Sequence, residues 1–271
     1  RAIPARGFRP IPPARSSRSW RGDRGTAAGT GPDPGPEAGG WPVEGLERVC
    51  RHGMHDLLKV LRGTASRDIL DWPSDGSLRE DGFGLDSLEL LEAVADANRR
   101  FGLQVSGVED HLLIAPTLSA WGKAVARHYD HVGPSARISF RTSGSTGDPK
   151  TVAHAWSALE RETRAHLETL FSGPTARTSG EDRVIRSLVP AHHIFGFMFT
   201  VLLPARSGFR VHDHLGRAPG TVWRDMAAGD VIVATPHLLD LALRSAPSCL
   251  DGCEAILSGA AVPARLWSRA A

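Results

Sequence analysis

The chain has 271 residues, with 32 Lys+Arg against 30 Asp+Glu, a formal net charge of +2, 41% hydrophobic and 23% charged residues. That composition is ordinary for one or two globular domains, and so even a charge balance excludes a surface built to coat nucleic acid. Three cysteines, Cys50, Cys249 and Cys253, are too few for a disulfide framework and point to a reducing, cytoplasmic setting; no second Cys/His pair stands at ligand spacing, so no protein-held metal ion is expected. The longest apolar run, Phe195–Leu203, is far short of the ~20 residues that a membrane-spanning helix needs.

Residues 1–45 are crowded with Pro, Gly, Arg and Ser, as in Pro10-Ile11-Pro12-Pro13 and Gly31-Pro32-Asp33-Pro34-Gly35-Pro36. Such a stretch cannot bury enough apolar surface to offset its ordering entropy, so a leader without a stable fold is expected there. Its arginines have no apolar stretch behind them, which excludes a secretory signal. The chain starts at Arg1 and stops at Ala271 within a helical pattern, so it reads as the N-terminal part of a longer protein.

From Leu46 onward the pattern becomes helical. Leu46, Val49, Met54, Leu57, Leu58 and Leu61 recur at helical spacing and predict one amphipathic helix. After the turn residues Trp72-Pro73-Ser74-Asp75-Gly76 comes Gly82-Phe83-Gly84-Leu85-Asp86-Ser87-Leu88. Asp86 is placed as an N-cap with Glu89 as its capping-box partner. The helix it opens carries Leu88, Leu91, Val94, Ala95 and Phe101 as its apolar side and ends near Gly102; Glu89, Glu92 and Asp96 form an acidic face. Thr117 caps a last helix with Leu118, Trp121 and Val125 inward.

Three or four helices over residues 46–128, with Asp-Ser-Leu opening the second main one, resemble an acyl carrier protein. In that family a phosphopantetheinyl transferase attaches a 4′-phosphopantetheine arm to the serine of this motif, which the resemblance places on Ser87. A phosphodiester in a first helical turn sits against the positive end of the helix dipole. The plain reading of the same residues is an ordinary N-cap. Residues 129–137, with Gly133-Pro134-Ser135, read as a linker to a second module.

Thr142-Ser143-Gly144-Ser145-Thr146-Gly147-Asp148-Pro149-Lys150 packs glycines, hydroxyls and a lysine into a loop able to wrap an anion. Glycines let backbone N–H groups approach, hydroxyls donate, and Lys150 brings a compact positive charge. The spacing fails the G-x-x-x-x-G-K-[ST] template, and the β-favouring runs Ile138–Phe140 and Thr151–Ala153 predict a loop between two strands. This signature resembles that of the acyl-adenylate-forming superfamily, which includes the acyl-CoA synthetases and AMP-binding ligases. The resemblance implies that Thr142, Ser143, Gly144, Ser145, Thr146, Gly147 and Lys150 bind the phosphates of ATP, with Mg2+ as cofactor, and that Lys150 takes part in catalysis.

Farther on, Trp156–Phe171 predicts a helix and Val184–Val189 a strand. The strand runs into Pro190-Ala191-His192-His193-Ile194-Phe195-Gly196, similar to a second motif of the superfamily; the resemblance makes His193 the catalytic-site histidine lining the acyl pocket, and His192 a structural neighbour. Val231–Pro236 is an apolar strand leading to a helix from His237 to about Leu243, and Ala255–Val262 a strand ending in small residues. The resemblance puts Ser258, Gly259 and Ala260 beside adenine. Strands alternating with helices predict an α/β layered domain with a mainly parallel sheet over residues 138–271.

The expectation is therefore an α-helical, acyl carrier-like bundle ahead of a partial adenylation domain. The implied reaction joins a small carboxylic acid, fatty or aromatic as in fatty acid metabolism, to a thiol through an acyl-adenylate; the acceptor is CoA or the carrier arm. A Tyr-Gly-x-Thr-Glu segment, a later ribose-binding Asp and a C-terminal domain with its catalytic Lys are not in the chain, so adenylation by these residues alone is expected to be incomplete. The rival reading is a non-catalytic carrier with a truncated or degenerate adenylation passenger.

Overall fold

The computed structural model describes residues 40–63, 69–142, 150–171, 183–247 and 252–266, together with the backbone of residues 9–10. Four helices come first: α1 (Val43–Arg62), α2 (Ser87–Phe101), α3 (Glu109–Ile114) and α4 (Leu118–Val132). The capping signals act as read. Asp86 accepts from Leu88 N and Glu89 N while Glu89 Oε2 accepts from Asp86 N at 3.0 Å, and Thr117 Oγ1 accepts from Ala120 N at 3.2 Å.

The inward face of α2 is a correction. Leu90, Ala93, Val94, Ala97 and Phe101 are buried, whereas Leu88 and Leu91 are 69% and 51% exposed. Adjacent leucines satisfy two helical registers equally well, and the packing against α1 and α3 selects one of them. Leu61 of α1, expected on the apolar side, is likewise 46% exposed. The leader expected over 1–45 ends earlier: Trp41 is buried and α1 begins at Val43. A two-residue strand β1 (Arg9–Pro10) also pairs with the last strand of the sheet. The predicted linker 129–137 is taken up by the end of α4, a 3-10 turn over Gly133–Ser135 and the start of the next strand.

The α/β part begins with an antiparallel hairpin, β2 (Arg137–Thr142) and β3 (Lys150–Ala155), in register from Arg137↔Ala155 to Thr142↔Lys150. Helix α5 (Trp156–Phe171) comes next. Strands β4 (Val184–Ser187), β5 (Arg210–Asp213), β6 (Val231–Ala234) and β7 (Glu254–Leu257) form a parallel sheet in the order β1-β7-β6-β4-β5. β4 and β6 are buried throughout, as central parallel strands covered on both faces must be.

Between β4 and β5 runs a helical stretch that the sequence pattern did not reveal: α6 (Ile194–Phe197), a π-helical turn over Met198–Leu202, and α7 (Leu203–Ser207). Pro204 has no N–H to offer the carbonyl four residues back. That oxygen, on Thr200, accepts instead from Arg48 Nη1 of α1 at 2.6 Å. Gly45 of α1 is needed here, because a Cβ would lie 2.6 Å from Val201 Cγ1. Helix α8 (Pro236–Ala242) leaves β6, with Thr235 as its cap.

Helical and α/β parts share one hydrophobic core. Trp41, Tyr129 of α4 and Trp156 of α5 form a triangle of rings, with the Trp41 centroid 4.8 Å from each of the other two and those two 4.9 Å apart. Truncating such a ring to Ala costs about 3–5 kcal/mol, so the two parts are joined by packing far stronger than a tether.

Candidate active site

In the parallel sheet, β4 connects to β5 on one side, and the chain then crosses to β6 and β7 on the other. Loops leaving β4 and β6 therefore diverge, and a crevice opens beyond the carboxyl ends of these strands, where α/β sheets bind ligands. The segment carrying His193 leaves β4 at this point. Leu188 N still donates to Val233 O at 2.9 Å, and the chain then turns, with His193 N donating to Pro190 O at 3.2 Å. Gly196 makes the turn possible: a Cβ there would lie 2.1 Å from Pro190 O.

The helical part holds this turn from the other side. Ala191 N donates to His52 Nδ1 at 2.8 Å, which places the ring proton on Nε2, and Nε2 in turn meets Asp213 Oδ2 at 2.5 Å. His52 is fully buried. Burial opposes ionisation of Asp213, yet the hydrogen bonds from His52 and Leu215 N and the charge of Arg48 hold its carboxyl below the usual range. Arg100 Nη1 of α2 donates to His192 O at 3.0 Å, and its Nη2 pairs with Asp96 at 3.1 Å.

His192 is buried, with Nε2 3.1 Å from Asp56 Oδ2 of α1. Desolvation pushes its pKa down to about 4, against the pull of Asp56. His193 is exposed and starts α6 without a side-chain capping bond. Partial desolvation, reinforced by the Arg100 charge, keeps it below the ordinary histidine range. A neutral imidazole at the crevice can accept a hydrogen bond or lie against a substrate.

The hairpin and the histidine segment meet. Ile138 and Phe140 of β2 are buried, and the Phe140 ring lies 5.3 Å from that of Phe197, one helical turn after His193. Arg141, at the open end of β2, lines one cavity of about 600 Å3 with Asp56, Arg100, His192 and His193. Lys150 is exposed at the first position of β3, opposite Thr142. Ser143, Gly144, Ser145, Thr146 and Gly147 lie outside the described residues, as does the side chain of Thr142.

Ser258, Gly259 and Ala260 are placed just past β7, with Gly259 at φ 91° beside Thr235 at the end of β6. They do not line the cavity of His193. Nor does Ser87, exposed at the first position of α2; the opposite end of that helix, through Asp96 and Arg100, reaches the cavity. Asp56, Arg100, Arg141 and His52 were not legible as site residues in the sequence. The available signal was His52 and His55 within the apolar stripe of α1, with Asp56 beside it: ionisable groups that a purely structural face has no need of.

Residues 138–271 match the family model of the AMP-binding enzymes. The chain is 37% identical over 222 residues to a 4-coumarate--CoA ligase of Rhodobacter capsulatus, covering 78% of this chain and 56% of that protein. It is 36% identical over 193 residues to a 4-coumarate--CoA ligase of Cereibacter sphaeroides, covering 71% and 45%. The first alignment is longer than the stretch 138–271 and so takes in much of the helical part as well. The chain spans about half the length of these curated relatives. Among solved structures, an O-succinylbenzoate coenzyme A synthetase from Bacillus subtilis in complex with AMP is 21% identical, covering 48% of this chain and 26% of that one, with a TM-score of 0.40. Residues 138–271 therefore carry the similarity to the AMP-binding enzymes, and the chain is similar to the two 4-coumarate--CoA ligases over about half of their length.

Proposed function

We propose that the chain is part of an enzyme that activates an aromatic carboxylic acid with ATP and Mg2+ and passes it to the thiol of CoA. The acid carboxylate attacks the α-phosphorus of ATP, pyrophosphate leaves, and the thiol then displaces AMP to leave a thioester. The hairpin hydroxyls and Lys150 hold the β- and γ-phosphates as charge moves onto them, so positioned donors do the work and no side chain acts as nucleophile. His193 lies against the acid, and Ser258–Ala260 against adenine. The observation that carries this reading is the shared cavity of Arg141, at the root of the phosphate loop, and His193. The names of the two relatives favour an aromatic over a fatty acid.

The test is acid-dependent exchange of pyrophosphate into ATP. It is run with the 271-residue chain and with a fusion in which the remaining sequence of the Rhodobacter capsulatus relative is joined after residue 271. The fusion should exchange with 4-coumarate in preference to a fatty acid, and Lys150→Ala should lower the rate by about 10²–10³. A folded fusion without exchange overturns the ligase reading; robust exchange by the 271-residue chain alone overturns the expected incompleteness.

A second reading has one observation in its favour: Ser87 is exposed in the first turn of α2, next to the exposed Leu88 and Leu91. In this reading Ser87 carries a phosphopantetheine arm as the thiol acceptor in cis. The arm must run the length of α2, about 14 Å from Ser87 to Asp96 at the helical rise, to reach the cavity. Intact mass after incubation with CoA and a phosphopantetheinyl transferase decides: a one-arm gain abolished by Ser87→Ala supports it, and no gain in the folded chain leaves CoA as the acceptor.

A further inference from the structure

Asp56 of α1 and the neighbouring His192 and His193 each offer one ligand atom, and the three atoms lie within 4.8 Å of one another. For bonds of 2.0–2.1 Å, tetrahedral zinc needs its ligand atoms about 3.4 Å apart. The Asp56–His192 distance of 3.1 Å is already close to that. The exposed His193, with no capping bond to hold its ring, closes the remainder by rotation. The His192 nitrogen that faces Asp56 is Nε2; its Nδ1 is buried and, among the described residues, has no hydrogen-bond partner. The three groups border the cavity of about 600 Å3, which leaves a fourth position facing solvent.

We propose that Asp56, His192 and His193 form a binding site for a divalent transition-metal ion of the zinc class, with water in the open position. Two imidazoles and one carboxylate are a zinc donor set, whereas Mg2+ and Ca2+ select oxygen. Arg100, beside the two histidines, is offset by Asp96 at 3.1 Å, and Lys59 is the cation that acts on the Asp56 carboxylate. Lys59 and Arg141 also line the cavity and lower the affinity without removing a ligand. The ion staples α1 to the turn after β4 and draws His193 away from the crevice, so zinc would compete with any use of that side chain on a substrate. The site itself does not depend on the ligase reading.

The experiment titrates Co2+ into the chelator-stripped 271-residue chain and follows the ligand-field absorption that distinguishes tetrahedral from octahedral cobalt, with Zn2+ as competitor. The expected result is a tetrahedral band at one equivalent, displaced by Zn2+. Asp56→Asn and His193→Gln, both at exposed positions and so compatible with folding, should each weaken Co2+ binding at least tenfold. A folded chain giving only an octahedral spectrum, or binding unchanged in either variant, overturns the proposal.

Discussion

His52→Ala probes the joint between the helical and α/β parts. The imidazole is fully buried, accepts from Ala191 N at 2.8 Å and meets Asp213 at 2.5 Å. Removing it orphans a buried backbone N–H, at about 1–3 kcal/mol, and leaves a cavity where the ring packed, worth about 2 kcal/mol more. Asp213 loses little beyond this, because Leu215 N still donates to it at 2.9 Å and its side chain is 28% exposed. The expected destabilisation is therefore about 3–5 kcal/mol, a fall in Tm of roughly 6–20 °C for a chain of this size. Urea unfolding monitored by tryptophan fluorescence suits the test, since Trp41 and Trp156 sit at the same joint. His52→Asn places an acceptor near the Nδ1 position and should recover part of the loss. A change under about 1 kcal/mol for His52→Ala would refute this account of the joint, and equal loss in both variants would refute the share assigned to the Ala191 hydrogen bond.

Gly196→Ala should destabilise by about 1–3 kcal/mol or more and displace His193, because the new methyl meets the Pro190 carbonyl at 2.1 Å; a thermal melt matching the parent would refute the constraint. Asp230→Ala strands Arg186, which is 2% exposed and bonded to Asp230 at 2.9 Å, and should cost about 3–5 kcal/mol, read as a shifted urea midpoint at constant slope. His214 is buried, and desolvation together with the Arg186 and Arg217 charges pushes its pKa down to about 4. The unfolded chain binds this proton near pH 6.5, so His214 leaves stability intact above that pH and removes up to about 3 kcal/mol as pH falls from 6.5 towards 4. His214→Gln should flatten that part of the stability–pH curve, and an unchanged acid slope would disprove the assignment.

Part of this architecture is decided by a few neighbouring residues. The β runs on either side of the phosphate loop predict strands, and β2 and β3 pair there in register up to Thr142↔Lys150. Asp86 and Glu89 predict a capping box, and Asp-Glu hydrogen bonds close it. Val231–Ala234 reads as a buried strand from its apolar run alone. Where two local solutions were equal, packing chose: Leu88 and Leu91 were expected inward, and the neighbours of α2 turned Leu90 and Ala97 in instead. The cavity was beyond local signals altogether. Arg100 reaches the His192 carbonyl across 92 residues, and His52 meets Asp213 across 161. Periodicity and capping act over one or two helical turns and leave no mark of such pairings. They arise only when α1 and α2 are pressed against the turn after β4, where a buried N–H or carboxylate must find a partner wherever in the chain it lies.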